Sequence, residues 1–343
     1  MDNKTIKENA RRLVNGSCRI CPVCDGRVCA GEVPGMGGAG TGAAFKSNIT
    51  ALAALKLNTR LVHEVRYPET KTEILGFKLA LPLIIGPIGG ISFNLGGAMP
   101  EAEYQMAVSE AAAKAGIVAG LPDSAPAEVL QTSLECIRRL DGHGIPFIKP
   151  WEAEELNQKI HLCAEAGCRV IGCDIDSAGL ITLRKMNHPA FVKSQAELAV
   201  ISETIHKLGM KFVVKGIMDV QDAKACLEAG VDGLVVSNHG GRILDFTPGT
   251  AEVLPEIAAA VRGRLALIVD GGVRSGIDIL KMLALGADCV MIGRPYTIAT
   301  IGGGREGVEL YTNLYRDQLE QAMIVTGCAA VSEAGPHLLY QPK

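Results

Sequence analysis

From about residue 80 to the C-terminus, short apolar runs alternate with longer stretches in which apolar and polar residues recur at helical spacing. The runs are Leu81–Ile85, Gly116–Gly120, Ile145–Ile148, Arg169–Cys173, Lys211–Val214, Gly233–Val236, Ala266–Val269 and Cys289–Ile292. Helical patterns follow them, among others at 100–115, 126–140, 152–166 and 219–229. Continuous apolar runs of this length describe strands buried on both faces, and repeated strand–helix units describe a parallel sheet. Eight such units close a (β/α)8 TIM barrel. An open doubly wound sheet is the alternative, but it would carry a nucleotide fingerprint after its first strand. Residues 1–80 break the repeat. They read as a helix at 4–14, a cysteine-rich stretch, a glycine-rich one at 31–42, a helix at 47–55 and a hairpin-like region around 62–66 and 73–77. The expected organisation is a barrel over 81–343 with an extension, 1–80, packed on it.

Composition narrows the function. Net charge is −3, aromatics are 4% and no block of like charge occurs, which disfavours nucleic acid as a partner. No apolar run is long enough to span a bilayer, so no membrane role is expected. The charged N-terminus lacks the apolar core of a signal peptide, which points to the cytoplasm. Seven of the eleven cysteines (Cys136, Cys163, Cys168, Cys173, Cys226, Cys289 and Cys328) lie within strand or helix patterns and read as small buried hydrophobes. The 40 glycines suit many tight strand-to-helix loops.

Chemistry gathers at the C-terminal ends of the later strands. Asp270-Gly271-Gly272-Val273-Arg274 follows the seventh and Gly293-Arg294-Pro295 the eighth. Barrel loops at these positions commonly hold phosphate, with glycine amides, a helix N-terminus near Ser275 and a guanidinium as donors. Two ordinary turns are the plain alternative. Ser237-Asn238-His239-Gly240-Gly241-Arg242 follows the sixth strand. His239 suits a general base, and Arg242 suits a two-pronged grip on a carboxylate. Lys215 ends the fifth strand, where its ammonium would face the mouth; a solvated surface lysine is the alternative. Asp174 and Asp176 end the fourth, to orient a base, hold a ribityl hydroxyl or cap the next helix.

These motifs resemble the FMN-dependent α-hydroxy acid oxidase and dehydrogenase family, whose members include glycolate oxidase and lactate oxidase. The resemblance is strong over 211–295, fair to about 330 and traceable through 60–176. It implies a barrel with FMN at its C-terminal mouth. Carried over, His239 is the base, Asp176 its support, Arg242 the carboxylate anchor and Lys215 the neighbour of the flavin N1 edge. Ser237, Asp270, Gly271, Gly272, Arg274, Gly293 and Arg294 would hold the cofactor, and Pro87, Ile88 and Gly89 would pass beside its ring. The family's Gln and Tyr after the third strand are replaced here by Phe147-Ile148-Lys149-Pro150-Trp151, and its N-terminal Tyr has no counterpart. Arg184 is a candidate second arginine on the substrate side. The resemblance also implies a homotetramer.

Cys18-x2-Cys21-x2-Cys24-x4-Cys29 sets four thiols in twelve residues, suited to zinc or an iron–sulfur cluster, or else to free redox-active thiols. Gly35-x-Gly37-x-x-Gly40 matches a dinucleotide fingerprint formally but follows no strand. A lid, or a close backbone approach to the mouth, suits it better. The expected function is oxidation of a 2-hydroxy acid to a 2-oxo acid by an FMN enzyme, with the electron acceptor open. The alternatives are a flavin barrel with isomerase-like chemistry and a flavoprotein electron-transfer partner acting through its cysteines.

Overall fold

Residues 1–341 are described by a computed structural model. An antiparallel ribbon, β1 (Thr72–Ile74) and β2 (Phe77–Leu79), precedes eight parallel strands: β3 (Leu83–Ile85), β4 (Val118–Pro122), β5 (Ile145–Ile148), β6 (Val170–Asp174), β7 (Lys211–Ile217), β8 (Gly233–Val236), β9 (Ala266–Val269) and β10 (Cys289–Ile292). These eight pair in sequence order, and β10 pairs with β3 to close the barrel. The closure removes the open doubly wound sheet. Nearly every residue of the eight strands is buried, because one face fills the barrel and the other meets the helices.

Inside the barrel, Ile84, Val118, Phe147, Val170, Val213, Val235, Ile268 and Met291 form one apolar cluster. Ile74, Phe77 and Leu79 of the ribbon join it, so the ribbon plugs the end at which the strands begin. The hairpin expected around 62–66 and 73–77 is therefore corrected. Residues 62–66 form no strand, and the chain reverses at Leu75-Gly76, both at positive φ (53° and 88°).

The N-terminal helix Asn3–Leu13 lies on the last helix, Arg294–Thr326, which is kinked at Gly304. Gly302 permits that approach, since a Cβ there would collide with the Ile6 carbonyl. A second N-terminal helix, Ala43–Ala54, begins four residues before the expected Ser47 and runs beside the loops after β8 and β9. The seven scattered cysteines are all buried. Among the described residues, no helix is long and apolar enough to cross a membrane.

Candidate active site at the barrel mouth

The loops at the C-terminal strand ends surround a mouth of ≈ 1130 Å³, its open side included. Pro87, Ile88 and Gly89 line it after β3, and Lys215, His239, Arg242, Asp270, Gly271, Gly272, Arg274, Gly293 and Arg294 line it from the later strands. Ser237 and Asp176 stand directly behind this wall. The Ser237 hydroxyl donates to Asp270 Oδ2 (2.8 Å) and accepts from the His239 amide (3.0 Å). Asp176 Oδ1 lies 3.0 Å from His239 Nδ1.

That last contact sets the chemistry of His239. An ionised carboxylate at Nδ1 holds the proton there and leaves Nε2 as the acceptor facing the mouth. Burial lowers the His239 pKa from its ordinary 6.5; Asp176 opposes this and the Lys215 ammonium adds to it. The imidazole is thus neutral at pH 7, as a base must be. Two backbone features bring the pair together. His239 itself sits at φ 55°, turned back after β8. Gly216, at φ 109°, marks an irregularity in the β7–β8 register, and a Cβ there would press on Asp176.

The floor carries a buried charge chain. Lys149 Nζ lies 2.6 Å from Asp174 Oδ2, and Lys215 Nζ lies 3.3 Å from Asp174 Oδ1 and 3.7 Å from Asp270 Oδ2. Lys215 is no surface residue. Burial works against its charge, but Asp174, then Asp270 and Asp176, outweigh it, and its pKa rises. Burial works against Asp174 too; Lys149 and Lys215 prevail and hold it below the usual carboxylate range. Asp270 goes the other way, its pKa pushed up by burial despite Lys215. Asp174, Asp176 and His239 bring ligand atoms within 4.8 Å of one another, but the two ammoniums already supply the positive charge that a metal would bring.

Three arginines form the opposite wall. Arg242 donates to the Gly35 carbonyl and to Asn94 Oδ1 (3.1 Å). Arg294 donates to the carbonyls of Met36 (2.8 Å) and Gly240 (3.0 Å) and lies over the Phe45 ring. Arg274 donates to the carbonyls of Val273 (2.9 Å) and Cys24 (3.3 Å). Among the described residues no carboxylate pairs with any of them. Burial pulls the pKa values of Arg242 and Arg294 down, and each of them also feels a neighbouring arginine. Concentrated, unpaired positive charge in a cavity calls for anionic ligands.

Comparison with known proteins identifies the family. The model of the FMN-dependent dehydrogenase family matches residues 35–202 and 183–341. The chain belongs to that family. It is 30% identical to the peroxisomal (S)-2-hydroxyacid oxidase GLO3 of Arabidopsis thaliana, over 87% of this chain and 88% of the relative. It is 32% identical to an L-lactate oxidase of Lacticaseibacillus rhamnosus, over 86% of each. A solved structure of mandelate oxidase superposes with a TM-score of 0.77 at 26% identity, covering 98% of this chain and 97% of that one. The protein is an FMN-dependent oxidoreductase of 2-hydroxy acids; the isomerase-like and electron-transfer alternatives are not favoured.

The mouth suits FMN on its own evidence. Arg274 Nε and Asp270 Oδ1 are buried without a hydrogen-bond partner. Between them, Gly271 and Gly272 take φ of 92° and 83°, which bare their amides. Helix Gly276–Ala284 begins just beyond, capped by Ser275. Arg184 does not join the site: its helix, Ile181–Lys185, turns it outward to solvent, while Thr182 and Leu183 face the mouth. Sequence reading missed Lys149, Asn94 and Asn48. Lys149 directly follows β5, as Lys215 lies in β7, and that position past a strand end was its only signal. The Asn48 amide pairs with Asn238 across 190 residues, which no local pattern reveals.

Proposed function

We propose that this mouth oxidises a 2-hydroxy acid with His239 as base and Arg242 as carboxylate anchor. Anchored by its carboxylate on Arg242, the substrate presents its hydroxyl to His239 Nε2, which takes the proton. Bound FMN would supply the two-electron acceptor for the hydride equivalent that leaves C2. Asp176 orients the imidazole and steadies the charge that it gains. Lys215 holds a fixed ammonium in the floor, which would offset negative charge on a cofactor that gains the electron pair. Gly271, Gly272, Arg274, Gly293 and Arg294 serve the phosphate end, Ser237 and Asp270 the chain between, and Pro87, Ile88 and Gly89 the ring. The extension, residues 1–80, completes the mouth through Gly35 and Met36. Met36, Phe93, Leu180 and Leu183 give the mouth apolar lining, which favours a substrate with a hydrocarbon side chain over glycolate. By its resemblance to the family we also propose a homotetramer, and we propose the cytoplasm as its compartment.

One observation carries this reading: a base with Nε2 left open shares a cavity with a buried arginine that has no carboxylate partner. Anaerobic mixing of holoenzyme with glycolate, lactate and mandelate tests it. Flavin bleaching should be fastest with the larger, apolar acids. If none of the three bleaches the flavin, the substrate class is wrong.

A further inference from the structure

The N-terminal segment builds a second cavity against the first. Cys18, Cys21, Cys24 and Cys29 all line one recess of ≈ 430 Å³, open side included. Met36 and Arg294 line both this recess and the barrel mouth, so a single layer of side chains separates the two. None of the four thiols is in a disulfide. Hydroxy acid oxidation as derived above uses none of them. We propose that these four cysteines bind one [4Fe–4S] cluster beside the FMN site.

Spacing, sulfur separation and charge point the same way. Cys18, Cys21 and Cys24 match the C-x2-C-x2-C run that gives three ligands to a four-iron cluster, and Cys29, on the same recess, is the candidate fourth. A tetrahedral zinc, with Zn–S near 2.3 Å, draws four sulfurs to about 3.8 Å from one another. Among the described residues, no three of these sulfurs lie within 4.8 Å of one another. All four instead border one recess. The backbone is wound to keep them there. Ile20, buried between Cys18 and Cys21, takes φ 47°, which a β-branched residue seldom adopts. Gly37 passes so near the Cys29 carbonyl that a Cβ would collide with it.

Charge fits a thiolate cluster as well. The Arg274 guanidinium lies 3.6 Å from the Cys24 sulfur, and Arg294 lines the same recess.

The test uses the full chain, purified anaerobically with FMN, and its result does not depend on which substrate the barrel oxidises. Iron and acid-labile sulfide should each approach about four per chain, with zinc far below one. Dithionite should bleach a broad visible absorbance additional to that of the flavin. Cys21→Ser and Cys24→Ser should each lose most of the iron while keeping FMN, whereas Cys226→Ser, outside the loop, should keep both. One zinc per chain without sulfide overturns the proposal, as does a chain with neither metal. If the loop variants fail to fold, chelator-stripped wild type decides. It should take up iron and sulfide in preference to zinc, and uptake of zinc alone overturns the assignment.

Discussion

His239 can act as a base at neutral pH because burial keeps its imidazole uncharged while Asp176 keeps the proton on Nδ1. His239→Ala should slow flavin reduction at least a hundredfold, as loss of a general base does, with FMN content unchanged. Stopped-flow reduction near wild-type speed would remove His239 from the mechanism. The pKa shift also has a direction to test. The imidazole must be unprotonated to react, so kcat/KM should fall as pH drops through a midpoint below 6.5. Asp176 raises that pKa. Asp176→Asn should therefore move the acid limb to still lower pH while cutting the rate at pH 7, since the base is weaker and its tautomer unfixed. A limb that moves to higher pH contradicts the pairing. Arg242→Lys keeps the charge but loses the planar fork; at about 1.5–3 kcal/mol for a charge-assisted bond, carboxylate affinity should drop roughly tenfold to a hundredfold. Identical affinities in a substrate titration would place Arg242 outside the carboxylate site. His239 and Arg242 stood out as candidates because they lie just past a strand end among glycines, and Asp176 because it follows the end of another strand. Lys149 lies just past a strand end too, but beside Pro150 and Trp151, in a segment that departs from the family's pattern.

At the scale of elements, the strands were legible because a parallel barrel buries both faces and leaves unbroken apolar runs. The ribbon was misread because its turn is Leu75-Gly76, a pair at positive φ without the Asn-Gly or Asp-Gly signal of a two-residue hairpin. How closely elements approach was legible only as an excess of glycine. Gly272 shows what one such glycine does. Its φ is 83°, and a Cβ would collide with the Asn48 carbonyl of helix Ala43–Ala54. Gly272→Ala should thus act twice, through strain of about 1–3 kcal/mol and through displacement of the loop that bares its amides to phosphate. The expected result is a lower Tm together with weaker FMN binding. A variant that binds FMN as wild type does would show that this loop is not part of the cradle.

Across the whole molecule, the N-terminal segment and the barrel share one site. The carbonyls of Gly35 and Met36 accept from Arg242 and Arg294, Cys24 accepts from Arg274, and Asp245 of the loop after β8 accepts from the Thr41 amide at 2.5 Å. All three mouth arginines therefore lean on residues 24–36, and buried guanidiniums deprived of their acceptors are costly. The helix Asn3–Leu13 adds a second attachment by burying Ile6 and Ala10 against the last helix. If the extension is part of the barrel's fold, deletion of residues 1–42 should do more than expose a surface. The truncated chain should retain little FMN, and heating should melt it well below the full-length enzyme. The full-length enzyme should unfold in one cooperative step that FMN shifts upward, by RT ln(1 + [FMN]/Kd), or about 2.7 kcal/mol at a hundredfold excess over Kd. Differential scanning calorimetry of both chains with and without FMN makes the comparison. A truncated barrel with wild-type FMN affinity would make the extension an independent appendage, and the arginines would then need no acceptors but cofactor and substrate.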